Sequence, residues 1–194
     1  MATTREKEPR FFVGFGFDPE SVLTQFYKQI NAELLEHCGI EPLSRTHSPH
    51  LTVFPPPNPP FAGGVREAAS RLFPVAATLP MLTLETDGWG WFEGAQTSTL
   101  YLKVVQSPEF RRVFRRLVRV MDGLLVPNNP YVPHISFSRW LTSEQRLRAG
   151  VYIAWRSGSS PPIPFAQVVL DELTLFARHR GGYRAYVRIA LPRG

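Results

Sequence analysis

Cysteine is nearly absent: Cys38 stands alone in 194 residues. A disulfide framework and a cysteine-rich zinc module are thereby excluded, and a reducing compartment fits best. Long apolar runs are missing too. The opening MATTREKEPR carries charge where a secretory signal carries a hydrophobic core, and no stretch is long enough to span a membrane. H-E-x-x-H and an acidic cluster at ligand spacing are likewise absent, so no metal or other cofactor is expected. Acids are the minority charge, 16 against 22 bases, and the net charge of +6 comes mostly from arginine. That balance points toward a polyanionic partner such as RNA, although many basic proteins bind no nucleic acid. The expectation is a cytoplasmic monomer, with the nucleus as the other compartment, acting away from membranes.

The chain does have apolar residues, 43% of the total, in alternating and helical patterns sufficient for a core. FFVGFGF (11–17) reads as a strand whose glycines let something approach its backbone. The following stretch reads as an amphipathic helix with Asp18 as N-cap, Pro19 at its first position and its end near Gly39. SPHLTVF (48–54) then carries a short strand from His50, and PPPNPPFAGG (55–64) is a loop. Residues 65–73 read as a helix, 79–87 as a strand, and GWGWFEGAQTS (88–98) as a loop with an aromatic cluster.

From TLYLKVV (99–105) the order begins again. A helix over 108–125 sets Phe110, Val113, Phe114, Leu117, Met121 and Leu124 on one side and Arg111, Arg112, Arg115, Arg116 and Arg119 on the other. VPHISFS (132–138) carries the second short strand. A helix from Thr142 to about Trp155, a Ser/Gly/Pro loop, the strand 166–178 and a last strand 183–191 complete the chain.

His50 follows Phe11 by 39 positions and His134 follows Thr99 by 35, each within strand, helix, motif strand, helix, strand. This repetition predicts an α+β fold of two pseudo-symmetric lobes with antiparallel sheets around a central cleft. Residues 1–9 are expected to be a flexible N-terminal arm and 10–194 a single bilobal domain. A pseudo-twofold axis would face the two motif strands across a shared groove.

Strand alternation puts His50 and Thr52 on one face and His134, Ser136 and Ser138 on the matching face. A lone histidine at a strand end is ordinarily a satisfied polar residue. Two copies of Pro-His-apolar-hydroxyl-apolar, at matching places in matching halves, argue for chemistry. One neutral imidazole can take a proton from an attacking oxygen while a protonated one gives a proton to a leaving oxygen. The hydroxyls can hydrogen-bond the non-bridging oxygens of a phosphodiester.

HLTV and HISF resemble the paired H-x-[T/S]-x motifs of the 2H phosphoesterase superfamily, and from about Arg10 the order of elements is similar as well. PYVPHISFSRWLT is similar to the second motif of the cyclic nucleotide phosphodiesterase and 2′-5′ RNA ligase-like branches. The resemblance implies His50 and His134 as the acid/base pair and Thr52 and Ser136 as phosphate ligands. In the ligase-like members the first histidine protonates the leaving oxygen and the second activates water. It implies a phosphodiesterase acting on RNA, an oligonucleotide or a cyclic nucleotide, most simply by opening a 2′,3′-cyclic phosphate. Cleavage at a 2′-5′ or 3′-5′ oligonucleotide end is the competing activity, which serine in the second motif, an accepted variant also found in the resembling branch that trims RNA 3′ ends, keeps open. A non-catalytic RNA-binding module is the competing class. Tyr131, Trp91, Phe92, Trp140 and Tyr183 are candidates for stacking on a base, against packing as their ordinary role. His47 and His179 lie outside any motif.

Overall fold

The structure is a computed structural model that describes residues 10–43, 49–54, 63–121, 131–159, 168–179 and 182–192. Residues 1–9, His47, most of the proline-rich loop (55–62) and the tail of the arginine helix (122–125) lie outside the described residues. In chain order the elements are β1 (Phe11–Gly16), α1 (Val22–Cys38), β2 (His50–Phe54), α2 (Gly64–Ala76), β3 (Leu82–Leu84), β4 (Thr86–Glu93) and β5 (Ser98–Val104). They continue with α3 (Pro108–Val120), β6 (His134–Leu141), α4 (Ser143–Ser159), β7 (Val168–Leu170), β8 (Glu172–His179) and β9 (Gly182–Ala190). Seven strands form one antiparallel sheet ordered β4-β5-β6-β2-β1-β8-β9, and β3 pairs antiparallel with β7. The fold is mixed α+β with antiparallel sheets. No helix among the described residues is long and apolar enough to cross a membrane.

The strand order makes the internal repetition visible. Outward from the β2–β6 junction, one side reads β2, β1, β8 and the other β6, β5, β4. Each half therefore lends its fourth strand to the first strand of the other half, and the third strands of the halves pair with each other. The helices follow the same exchange, α1 packing with α4 and α2 with α3. Phe26 and Tyr27 of α1 meet Phe137 of β6, while Phe114 of α3 stacks on Phe54 of β2. Val13, Phe15, Leu51, Val53, Ile135, Phe137, Leu173 and Leu175 form the buried face of the large sheet, in one core with all four helices. The other face is open only in part: His50, Thr52 and His134 are half-buried there, and Phe12, Tyr101, Ser136 and Phe176 are buried.

Local chemistry explains where the elements differ from expectation. α1 starts three residues after Pro19, because the Ser21 hydroxyl accepts from the Thr24 N–H at 3.2 Å, whereas Asp18 is spent on the Glu20 N–H in the turn before it. At its other end Gly39 has φ 65°, the left-handed conformation that closes a helix. α2 continues through Pro74 to Ala76. α4 opens with a reciprocal box, the Gln145 N–H donating to the Thr142 hydroxyl and the Thr142 N–H to the Gln145 side-chain oxygen. The stretches 79–87 and 166–178 each divide, at Glu85 and Asp171, into a short strand of the small sheet and a long strand of the large one.

The expected loop over 88–98 is mostly the strand β4. Gly88 and Gly90 hide its alternation: Trp89 and Trp91 lie opposite Leu102 and Leu100 on the buried face, while Gly90 and Phe92 lie opposite Tyr101 and Thr99 on the open face. Gly90 is needed because the Tyr101 ring lies across it, and an added Cβ would come within 2.5 Å of that ring.

Candidate active site

β2 and β6 meet at one paired position among the described residues, Leu51 opposite Ile135, and both side chains are buried. His50 and Thr52 flank Leu51, and His134 and Ser136 flank Ile135, so all four point to the open face. Counting outward from the pair sets His50 across from Ser136 and Thr52 across from His134. Each imidazole thus lies beside the hydroxyl of the other motif. Ideal cross-strand geometry separates diagonal neighbours by about 7–8 Å, which leaves room for a phosphate between the rings. The motif strands are direct neighbours in the sheet rather than walls of a groove, since separated edges at the centre of a fold would leave backbone groups unpaired.

The two histidines have different surroundings. His134 donates its Nδ1–H to the Val132 carbonyl at 2.7 Å, which leaves Nε2 for the open face. Phe92 lies edge-on to the His134 ring at 4.7 Å and is itself stacked on Tyr101 at 4.1 Å. Burial depresses the pKa of His134; the bond to Val132 opposes this and the charge of Arg139 adds to it. Lys103 is its cross-strand partner. The His50 ring lies 4.9 Å from Phe12 and 5.3 Å from Phe176, beside the side-chain-free edge of β1 at Gly14 and Gly16. Tyr183 meets Phe12 edge-on at 5.0 Å.

The remaining sequence candidates scatter. Phe92 lies against His134, as described, and Tyr183 meets Phe12, which in turn lies against His50. Trp91 is on the buried face, with the Arg146 guanidinium 5.6 Å from its ring centroid. Trp140 is 74% exposed, at φ 58°, and has no ring partner among the described residues. The ring of Tyr131 is stacked on Phe114 at 4.3 Å, and its hydroxyl donates to the Thr52 carbonyl at 2.8 Å. Burial raises its pKa, so it stays a neutral donor.

Ser138 does not share the face of Ser136. Tyr101 opposes Ser136 while Leu100 opposes Ser138, so Phe137 is an extra residue and the strand bulges. Ser138 is turned to the buried side, where its hydroxyl has no hydrogen-bond partner among the described residues. Arg139, just past the bulge, is near enough to His134 for its charge to act there, and Tyr27 and Tyr183 are its own electrostatic neighbours.

Residues 11–182 match the sequence profile of the 2′-5′ RNA ligase superfamily. The chain belongs to that superfamily of 2H phosphoesterases. Solved structures agree in fold. TT0787 of Thermus thermophilus is 16% identical with a TM-score of 0.66, covering 95% of this chain and 98% of that one. LigT of E. coli, solved with 3′-AMP, is 22% identical with a TM-score of 0.61, covering 96% and 100%. Usb1 of Kluyveromyces marxianus, solved with uridine monophosphate, is 14% identical with a TM-score of 0.52, covering 95% and 99%. No curated protein matches in sequence. Membership supports a phosphodiesterase-type activity.

Within this superfamily member, Tyr101, Phe12, Phe176 and Arg139 are neighbours of the histidines that the motifs did not reveal. Tyr131 is a brace: its hydroxyl ties the segment before His134 to the strand of His50. Tyr131→Phe keeps the ring stack and deletes that bond. The expected cost is about 1 kcal/mol, seen as a fall of about 2–4 °C in melting temperature for a chain of this size. An unchanged melt would show that the bond braces nothing.

Proposed function

We propose that the protein is a metal-independent phosphodiesterase that opens RNA-type 2′,3′-cyclic phosphates to 2′-phosphates. The observation that carries this reading is the exchange-symmetric placement of two histidine–hydroxyl strands about the Leu51–Ile135 pair. His134, held neutral at physiological pH by its burial, takes a proton from water at Nε2. The water oxygen bonds to phosphorus, the bond from phosphorus to O3′ breaks, and His50 gives its proton to O3′. The products are a 2′-phosphomonoester and a 3′-hydroxyl. Thr52 and Ser136 donate hydrogen bonds to the non-bridging oxygens as charge builds there. Phe92 beside His134 and Tyr183 beyond Phe12, both half-buried, offer aromatic surface to the nucleoside, while Tyr101 and Phe12 are buried and support the two histidine rings.

The reading is tested by incubating a nucleoside 2′,3′-cyclic phosphate with the protein in EDTA and identifying the product. A 2′-phosphate is expected; a 3′-phosphate, or turnover only after added metal, contradicts it. The pH profile gives an independent check. Protonation of His134 removes the base, so activity falls as the pH drops, and the depressed pKa places that limb below the ordinary imidazole value of about 6.5. Arg139→Met removes a charge that opposes protonation, so the limb moves to higher pH. A limb that stays in place separates Arg139 from the base.

A further inference from the structure

We infer that the first two turns of α3 and the segment before His134 form a second phosphate site for the RNA strand, outside the histidine centre. The inference rests on the RNA reading above. A cavity of about 390 Å³ opens there, lined by Gln106, Phe110, Arg111, Phe114, Arg115 and Tyr131. That volume lies within the range of small-ligand pockets.

The basic face of α3 divides by what its arginines do. Arg112 pairs with Glu109 at 2.9 Å, and Arg116 donates to the carbonyl and hydroxyl of Thr78 at 3.1 and 2.6 Å, just past the end of α2. These two serve the fold. Arg111 and Arg115, one helical turn apart and exposed, line the cavity and have no carboxylate partner among the described residues. Among the described residues no acidic side chain lines the cavity with them. Beside them Phe110, Tyr131 and Phe114 form a parallel stack, with centroids 6.3 and 4.3 Å apart. Phe110 is buried and Tyr131 is stacked between Phe110 and Phe114, so the rings pack on one another as a wall of the cavity, and the paired guanidinium groups are what a phosphate would meet.

The site is within reach of the reaction centre. Tyr131 precedes His134 by three residues, so their Cα atoms are at most about 11 Å apart. Lys103, opposite His134, precedes Gln106 by three residues as well.

Fluorescence anisotropy of a labelled single-stranded RNA across a salt series tests this with wild type, Arg111→Ala/Arg115→Ala and Arg112→Ala/Arg119→Ala. The first double variant is expected to bind about tenfold more weakly at low salt, and its log Kd against log salt slope to fall by about 0.7 for each phosphate that is no longer neutralised. Its kcat/KM on a nucleoside 2′,3′-cyclic phosphate stays at the wild-type level while KM for an RNA ending in that group rises. The Arg112/Arg119 variant removes the same formal charge away from the cavity and loses less affinity. Equal losses in both variants mean diffuse attraction and overturn the site, as does wild-type affinity with an unchanged slope in the first. Weakened RNA binding by the first variant, in a protein that turns over no cyclic phosphate, supports the site and sinks the catalytic reading instead.

Discussion

Alanine in place of either His50 or His134 is expected to slow hydrolysis of a 2′,3′-cyclic phosphodiester by about a hundred- to ten-thousand-fold. The two losses share one cause. Proton removal from water and proton delivery to O3′ belong to one displacement, so neither imidazole retains its value without the other. The double variant is therefore expected to be little worse than the worse single one, as in other groups that act as a unit. Steady-state rates of the three variants measure this. A single variant within about tenfold of wild type, or strictly multiplicative losses, would remove the pair from the mechanism. Neither imidazole belongs to the buried core, so the melting temperature serves as the control for folding.

The parts of this arrangement that follow from short-range pattern were legible in the sequence. His50 with Thr52, and His134 with Ser136, are set on one face by the period of a strand, and Leu51 and Ile135 between them announce the buried face. Repetition of the motif within repeated elements pointed to two related halves, but not to their joining in one sheet with β2 paired to β6. What stayed hidden depended on neighbours distant in the chain. Trp91 and Phe92 looked equivalent until β4 paired with β5 and placed them on opposite faces. Gly90 reads as a loop residue, yet it is in a strand because a ring from the next strand occupies the space a side chain would need. Arg139 is the sharpest case. Five residues after His134, it lies where β6 slips its register against β5, which no local pattern announces, and its charge still reaches the histidine.

The same logic makes Gly14 the position where a single methyl group should do the most harm. β1 runs beside the strand of His50, with Gly14 opposite Thr52 and Gly16 opposite His50. A Cβ at Gly14 would come within 2.6 Å of the Leu51 carbonyl oxygen, and the obstacle is backbone that cannot rotate away. Gly14→Ala must push β2 off β1. Overpacking of this kind costs about 1–3 kcal/mol, or roughly 2–4 °C of melting temperature for each kcal/mol in a chain of this size. Activity should fall further than stability, because Leu51 sits between His50 and Thr52 and a displacement of order 1 Å can cost about a hundredfold in rate. Gly16→Ala is the matched comparison. Its Cβ would approach the Thr174 hydroxyl at 3.1 Å and the Glu172 carboxylate at 3.4 Å, side-chain atoms that can give way. Thermal melts and turnover of both variants decide the matter: equal effects mean that backbone crowding at Leu51 is not what positions His50, whereas a large loss confined to Gly14→Ala ties the spacing of the glycines in FFVGFGF to the placement of the first histidine.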